Sequence, residues 1–114
     1  MVAANNLAWI YADRREHLEL ALQLAQRSAA ERPGDADVQD TLGWVYYQKQ
    51  APKLAIGPFQ QSVAGAPLNP TYRYHLALAY ARSGDVENAR RAVEVALKLN
   101  PDFSEAQRLY ASLQ

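Results

Sequence analysis

Small and apolar residues recur three and four positions apart along this chain, in stretches of about a dozen residues divided by short groups of Pro, Gly, Asn and Asp. Between Asp37 and Lys49, the positions Leu42, Val45 and Tyr46 fall on one face of a helix. Further on, Asn69-Pro70 reads as a cap and a first helical residue, Ser83-Gly84-Asp85 ends that helix and caps another, and Asn100-Pro101 stops the second. Gly34 and Gly84 stand at helix ends, where a left-handed residue is expected. From Asp102 to Gln114, one face collects Ala106, Leu109, Tyr110 and Leu113 with nothing after it to pair, which predicts a closing helix. Gly57-Pro58 interrupts a stretch in which Ala55, Phe59 and Ser62 keep the helical spacing. A helix bent at the proline is the expectation there, and a later helix start is the alternative.

The pattern has a period of 34 residues. Leu42, Gly43, Tyr46, Ala55, Phe59, Ser62 and Pro67 recur as Leu76, Ala77, Tyr80, Ala89, Val93, Ala96 and Pro101. An earlier copy, Leu7, Ala8, Tyr11, Ala21, Ala25, Ser28 and Pro33, keeps the order with one extra residue between Tyr11 and Ala21, which belongs in a turn. Each copy holds two amphipathic helices. Gly43 and Ala77 let the two approach closely against Ala55 and Ala89, while Tyr46 and Tyr80 fill the space between pairs.

Leucine, glycine, tyrosine, alanine, a large apolar residue and proline in this order over 34 residues resemble the tetratricopeptide repeat (TPR) family, and the likeness covers essentially the whole chain. The resemblance implies an all-α, right-handed α-α superhelix of three helical hairpins plus a C-terminal capping helix, seven helices in one domain. The repeats would span 1–35, 36–69 and 70–103, and the capping helix 104–114. The chain departs from the family where a tryptophan is usual, since Ala4, Gln39 and Arg73 stand there, so part of the contact between repeats must be made differently. It opens on Val2-Ala3-Ala4 with no capping residue ahead, and is expected to be a fragment of a longer protein.

Charge and composition narrow the functional classes. Twelve basic and twelve acidic residues cancel, so no net field favours nucleic acid, which is not expected as a partner. No apolar run reaches the roughly 20 residues that span a bilayer, so direct membrane insertion is not expected. Without cysteine there is no thiolate nucleophile and no cysteine-ligated zinc, and the compartment stays unknown, bacterial cytoplasm and the periplasmic side of the envelope both being open. His17 and His75 lie far apart in the repeat frame, are expected to be ordinary partly exposed histidines, and form no metal or triad spacing. No glycine-rich phosphate loop precedes a helix. Glu16 with Glu19 and Asp35 with Asp37 fall near helix starts, where the macrodipole favours negative charge. Arg90-Arg91 beside Glu87 and Glu94 reads as a solvated face. The expectation is a protein that is not an enzyme and takes no cofactor or metal.

In the family, the first helices of successive hairpins line a concave groove. Carried over position by position, the resemblance nominates Asn5, Trp9 and Asp13 from the first hairpin and Asp37, Asp40, Trp44, Tyr47 and Gln48 from the second. Thr71, Tyr74, Leu78 and Arg82 follow from the third, and Arg108 from the closing helix. The stripe Leu42, Val45 and Tyr46 leaves Trp44 and Tyr47 on a flank it does not need, and such aromatics suit a binding surface. Packing of Trp9 and Trp44 as core is the alternative for both. Asp13, Asp37 and Asp40 toward the start of the groove and Arg82 and Arg108 toward its end give a charge gradient suited to a dipolar peptide. The lysine, arginine and asparagine clamp that holds chaperone C-termini in one subgroup is missing: Asn5, Trp9, Trp44, Thr71 and His75 stand in its place. Asn5-Asn6-Leu7-Ala8-Trp9 and Asp40 to Tyr47 are similar to bacterial repeat proteins, including exported ones associated with exopolysaccharide production. The expected role is a scaffold binding a protein or peptide. The alternative is a structural or self-assembling module, a homo-oligomer or part of a larger repeat protein.

Overall fold

Spacing, caps and prolines set the helix limits seen in a computed structural model, which describes residues 2–114. The helices are α1 (Val2–Arg14), α2 (Leu18–Glu31), α3 (Ala36–Gln48), α4 (Pro52–Gly65), α5 (Pro70–Arg82), α6 (Val86–Leu99) and α7 (Ser104–Ser112), with no strand among the described residues. Asp35 caps α3 by accepting from the Asp37 and Val38 amides, Asn69 caps α5 through the Tyr72 amide, and Asp85 caps α6 through the Asn88 amide. Pro52 and Pro70 sit in the first turns of α4 and α5, where the missing N–H costs nothing. α4 runs unbroken through Pro58, so the later start is excluded. The carbonyl that Pro58 cannot serve belongs to Leu54, an exposed residue, on a side of the helix that water reaches.

The helices pair as α1 with α2, α3 with α4 and α5 with α6, and α7 closes the stack against α6. Each first helix also packs on its neighbours, α3 touching both α1 and α5. The assembly measures 38 × 25 × 21 Å. Its core is built largely of alanine: Ala8, Ala12, Ala21 and Ala25 in the first hairpin, Ala55 and Ala79 in the middle, Ala77, Ala92 and Ala106 at the end. Small residues bring the backbones close, and the larger Phe59, Leu76, Val45 and Val93 fill what remains.

The turn inside each hairpin places one residue in the left-handed region at the same register, Arg15 (φ 57°), Gln50 (φ 65°) and Gly84 (φ 85°). Only the last is glycine. The amides after them, of Glu16, Ala51 and Asp85, all donate to a tyrosine carbonyl, of Tyr11, Tyr46 and Tyr80. The extra residue of the first copy is absorbed just there: His17 is a second left-handed residue (φ 49°) before α2 resumes the common register. Gly34, by contrast, is not left-handed. It lies in a link between hairpins, where Asp35, Asn69 and Phe103 donate to the carbonyls of Arg32, Ala66 and Asn100 in short turns that need no positive φ. A Gly84→Ala substitution, which must hold an L side chain in the left-handed region, is expected to cost about 1 kcal/mol, and Gln50→Gly to return part of such strain, both read from urea midpoints.

The register vacated by the family tryptophan has another use. Gln39 Nε2 donates to the Pro33 carbonyl (3.0 Å), Arg73 to that of Pro67 (3.0 and 3.2 Å) and Gln107 Nε2 to that of Pro101 (2.7 Å). Each clamp ties a first helix, or α7, to the link ahead of it. A second repeating bond joins hairpins: Gln26 Nε2 to the Tyr46 hydroxyl (3.3 Å) and Gln60 Nε2 to that of Tyr80 (2.9 Å), with Tyr110 donating to Glu94 at the α7 end (3.4 Å).

Candidate peptide-binding groove

Because α1, α3 and α5 lie side by side, residues at similar heights on them meet. Near their N-terminal ends, Asn5 Nδ2 donates to Asp37 Oδ2 (2.9 Å) and the Tyr72 hydroxyl reaches Asp37 Oδ1 (3.5 Å). These residues open onto a cleft of about 560 Å³ lined from α1 by Asn5, Asn6, Trp9 and Ile10, from α3 by Asp37, Asp40 and Thr41, and from the start of α5 by Thr71, Tyr72 and His75, with Asn69. Burial and the carboxylates of Asp37 and Asp40 push the Tyr72 hydroxyl up to about 12, so it stays a neutral donor.

Halfway along the three helices, aromatic rings stack. Trp44 lies on Trp9 (5.6 Å between centroids, 25° between planes), on Tyr47 (5.3 Å, 10°) and on His75 (4.7 Å, 25°). His75 is buried, not partly exposed: 6% of it is accessible, Phe59 packs at 5.6 Å, and its Nδ1 donates to Asp40 Oδ1 at 2.8 Å. Asp40 is equally buried, and desolvation raises its pKa, with the hydrogen bond and charge of His75 opposing. Asp40 is therefore an internal partner of His75 as well as a wall of the cleft, and not a free rim charge. Trp44 combines both roles considered for it. It is half-buried against two core clusters, since α1, α2, α4 and α5 all pack on α3, and its Nε1 is buried with no partner among the described residues. Trp9 lines the cleft while stacking on Trp44.

Toward the C-terminal ends of the same helices the chemistry changes sign. Arg15 Nε donates to Gln48 Oε1 (3.3 Å), which leaves Gln48 largely buried, and Arg82 reaches Gln50 (2.9 Å) with its guanidinium 5.6 Å from the centre of the Tyr47 ring. The charge gradient thus runs across the groove, along the helix axes, rather than from the first hairpin to the last. Asp13 is exposed and falls on the basic side. Tyr74 packs on Phe103 at 5.0 Å, and burial and the Glu105 carboxylate push its hydroxyl up, with Arg108 opposing. Arg108 is exposed, Leu78 half-buried.

Tyr72, His75, Asn6, Thr41 and Ile10 line the cleft without having been nominated. Asn6, Thr41 and His75 share one register of the repeat, next to Asn5, Asp40 and Tyr74, and three polar residues at one register of an otherwise apolar pattern were a signal available in the sequence.

A family model, the Fis1 C-terminal tetratricopeptide repeat, matches residues 71–114. The TPR repeat-containing thioredoxin TTL4 of Arabidopsis thaliana is 32% identical over 89 residues, 78% of this chain and 13% of that protein. The chain therefore spans about an eighth of that relative's length. Among solved structures, the first TPR domain of human RPAP3 superimposes with a TM-score of 0.90 at 14% identity, over 98% of this chain and 87% of that one. The second TPR domain of human RPAP3, in complex with the HSP70 peptide SGPTIEEVD, gives 0.81 at 16% identity over 96% and 97%. The stacked hairpins, the 34-residue register and these matches together make the chain a tetratricopeptide-type helical-hairpin superhelix, and support its place in the TPR family.

Proposed function

We propose that the concave face of α1, α3 and α5 binds an extended segment of another protein, and that the chain works as a non-catalytic interaction scaffold. The observation that carries this reading is the 560 Å³ cleft whose wall includes Trp9, itself stacked on Trp44: an aromatic ring beside polar groups, on packed helices, is what a peptide anchor needs. The RPAP3 domain in complex with a peptide, which shares this fold, supports it. The missing carboxylate clamp argues for a ligand other than a chaperone tail. The likeness of Asn5 to Trp9 and of Asp40 to Tyr47 to bacterial repeat proteins supports a bacterial setting, an exported polysaccharide-related system included.

Selection of a random peptide library on the folded domain tests the reading. Enriched peptides are expected to bind the native chain and to lose binding to Thr71→Trp, which fills the cleft from an exposed position without altering charge. Absence of enrichment, or equal binding to both forms, removes the groove.

Leu7 and Ile10, 38% and 42% exposed on α1, favour a second reading, packing of this helix on another copy or on further repeats. Sedimentation equilibrium separates the two: mass rising with concentration in the native chain but not in Leu7→Gln supports self-association, and a monomer throughout excludes it.

A further inference from the structure

We propose that the cleft at the N-terminal ends of α1, α3 and α5 takes a cationic side chain, a guanidinium or ammonium, so that the segment bound in the groove is basic. This deepens the groove reading and rests on it. Two carboxylates, Asp37 and Asp40, line the cleft, and among the described residues no Lys or Arg does. Asp37 is exposed, and it receives only the Asn5 amide and, at 3.5 Å, the Tyr72 hydroxyl, so it keeps acceptor capacity. Asp40 engages His75 through one oxygen only.

Asn5 supplies an independent sign of a missing donor. It is 4% exposed, and its Nδ2 is committed to Asp37, which fixes the amide orientation because only the NH2 can donate to a carboxylate. The remaining Oδ1, on a residue that lines the cleft, is buried with no hydrogen-bond partner among the described residues, so nothing offsets its desolvation. An ammonium or guanidinium carries only donors and would serve the Asp37 and Asp40 oxygens, and Asn5 Oδ1 where a small movement of that side chain exposes it. Trp9 and Ile10 in the same wall would cover its methylene stem, and the Trp9 ring suits a cation. An acidic segment such as SGPTIEEVD, with two glutamates and an aspartate, would meet repulsion here.

The probes are n-butylguanidinium, n-butylammonium, n-butanol and n-butyrate, titrated into 15N-labelled protein. The two cations are expected to shift the side-chain amides of Asn5 and Asn6 and the indole N–H of Trp9, saturably and less strongly as salt rises. Butanol and butyrate should leave them unmoved. Asp37→Asn, at an exposed position checked by circular dichroism, is expected to weaken cation binding about tenfold, and Asn6→Lys, which places a competing cation on the rim, to abolish it. Comparing the two cations separates an arginine from a lysine preference. Butanol or butyrate shifting the same signals as strongly as the cations, or Asp37→Asn and Asn6→Lys binding them as the native chain does, overturns the proposal. Library peptides that depend on the groove but carry no Lys or Arg overturn it too while leaving the groove intact; a library with no groove-dependent peptide removes both.

Discussion

Phe59→Ala is expected to lose about 3–5 kcal/mol of unfolding free energy, the range for emptying a fully buried aromatic site. Phe59 is the largest side chain with no accessible surface, and it touches Ala55, Leu76, Ala79 and the His75 ring, so its removal opens a cavity shared by two hairpins. The opposite error is as informative. A Cβ at Gly43 would lie 2.5 Å from Cδ1 and Cε1 of the Phe59 ring, far inside contact distance, and the ring cannot swing away from a packed core. Gly43→Ala should therefore cost about 1–3 kcal/mol, despite the roughly 1 kcal/mol of helix propensity that alanine brings. One period later the same two positions hold Ala77 and Val93, a larger residue facing a smaller one. Gly43→Ala with Phe59→Val copies that pair. The double variant is expected to unfold at higher urea than the sum of the single effects allows, by about 1 kcal/mol or more of coupling. Simple additivity would mean that the two positions do not share the space.

Much of this arrangement could be read from the chain. Leu42, Tyr46, Ala55 and Pro67 recurring at one offset set the hairpins, and Asp35, Asn69 and Asp85 before their helices set the starts, because capping and amphipathic spacing are local physics. What escaped was non-local or unmarked. Arg15 and Gln50 take the left-handed turn with no glycine to announce it; the register they share with Gly84 was the available clue. Gly34 carried the mark without the conformation. His75 and Asp40 stand 35 residues apart on different helices, and no periodicity of either helix alone pairs them. The groove residues were legible as a repeat register, but their division between wall and core was not: α3 packs on α1, α2, α4 and α5 at once, so Gln48 is buried and Trp44 half-buried at positions that a two-sided helix would leave free.

The Asp40–His75 pair makes the other large prediction. His75→Ala removes the partner of a buried carboxylate, and breaking such a pair costs about 3–5 kcal/mol. The pH dependence separates the loss of the carboxylate's partner from the loss of ring packing. Burial already holds the Asp40 carboxyl above its ordinary value of 3.8, aided by Asp37, while His75 pulls the other way. Removing His75 lets it rise further. The folded chain then binds the Asp40 proton more tightly than the unfolded chain does, so stability is undiminished below the unfolded value and falls as pH rises from there through the folded one. Adding Asp40→Asn to His75→Ala removes that titration and nothing else that changes with pH. At pH 7 the double variant is expected to be the more stable by about 2 kcal/mol, since the single one must bury a carboxylate without its partner. Toward pH 4 the two should converge, because a protonated Asp40 resembles an asparagine. Urea unfolding of both across this range decides it. A constant gap would place the cost in packing alone, and a gap that widened in acid would mean that Asp40 prefers its charge even without His75.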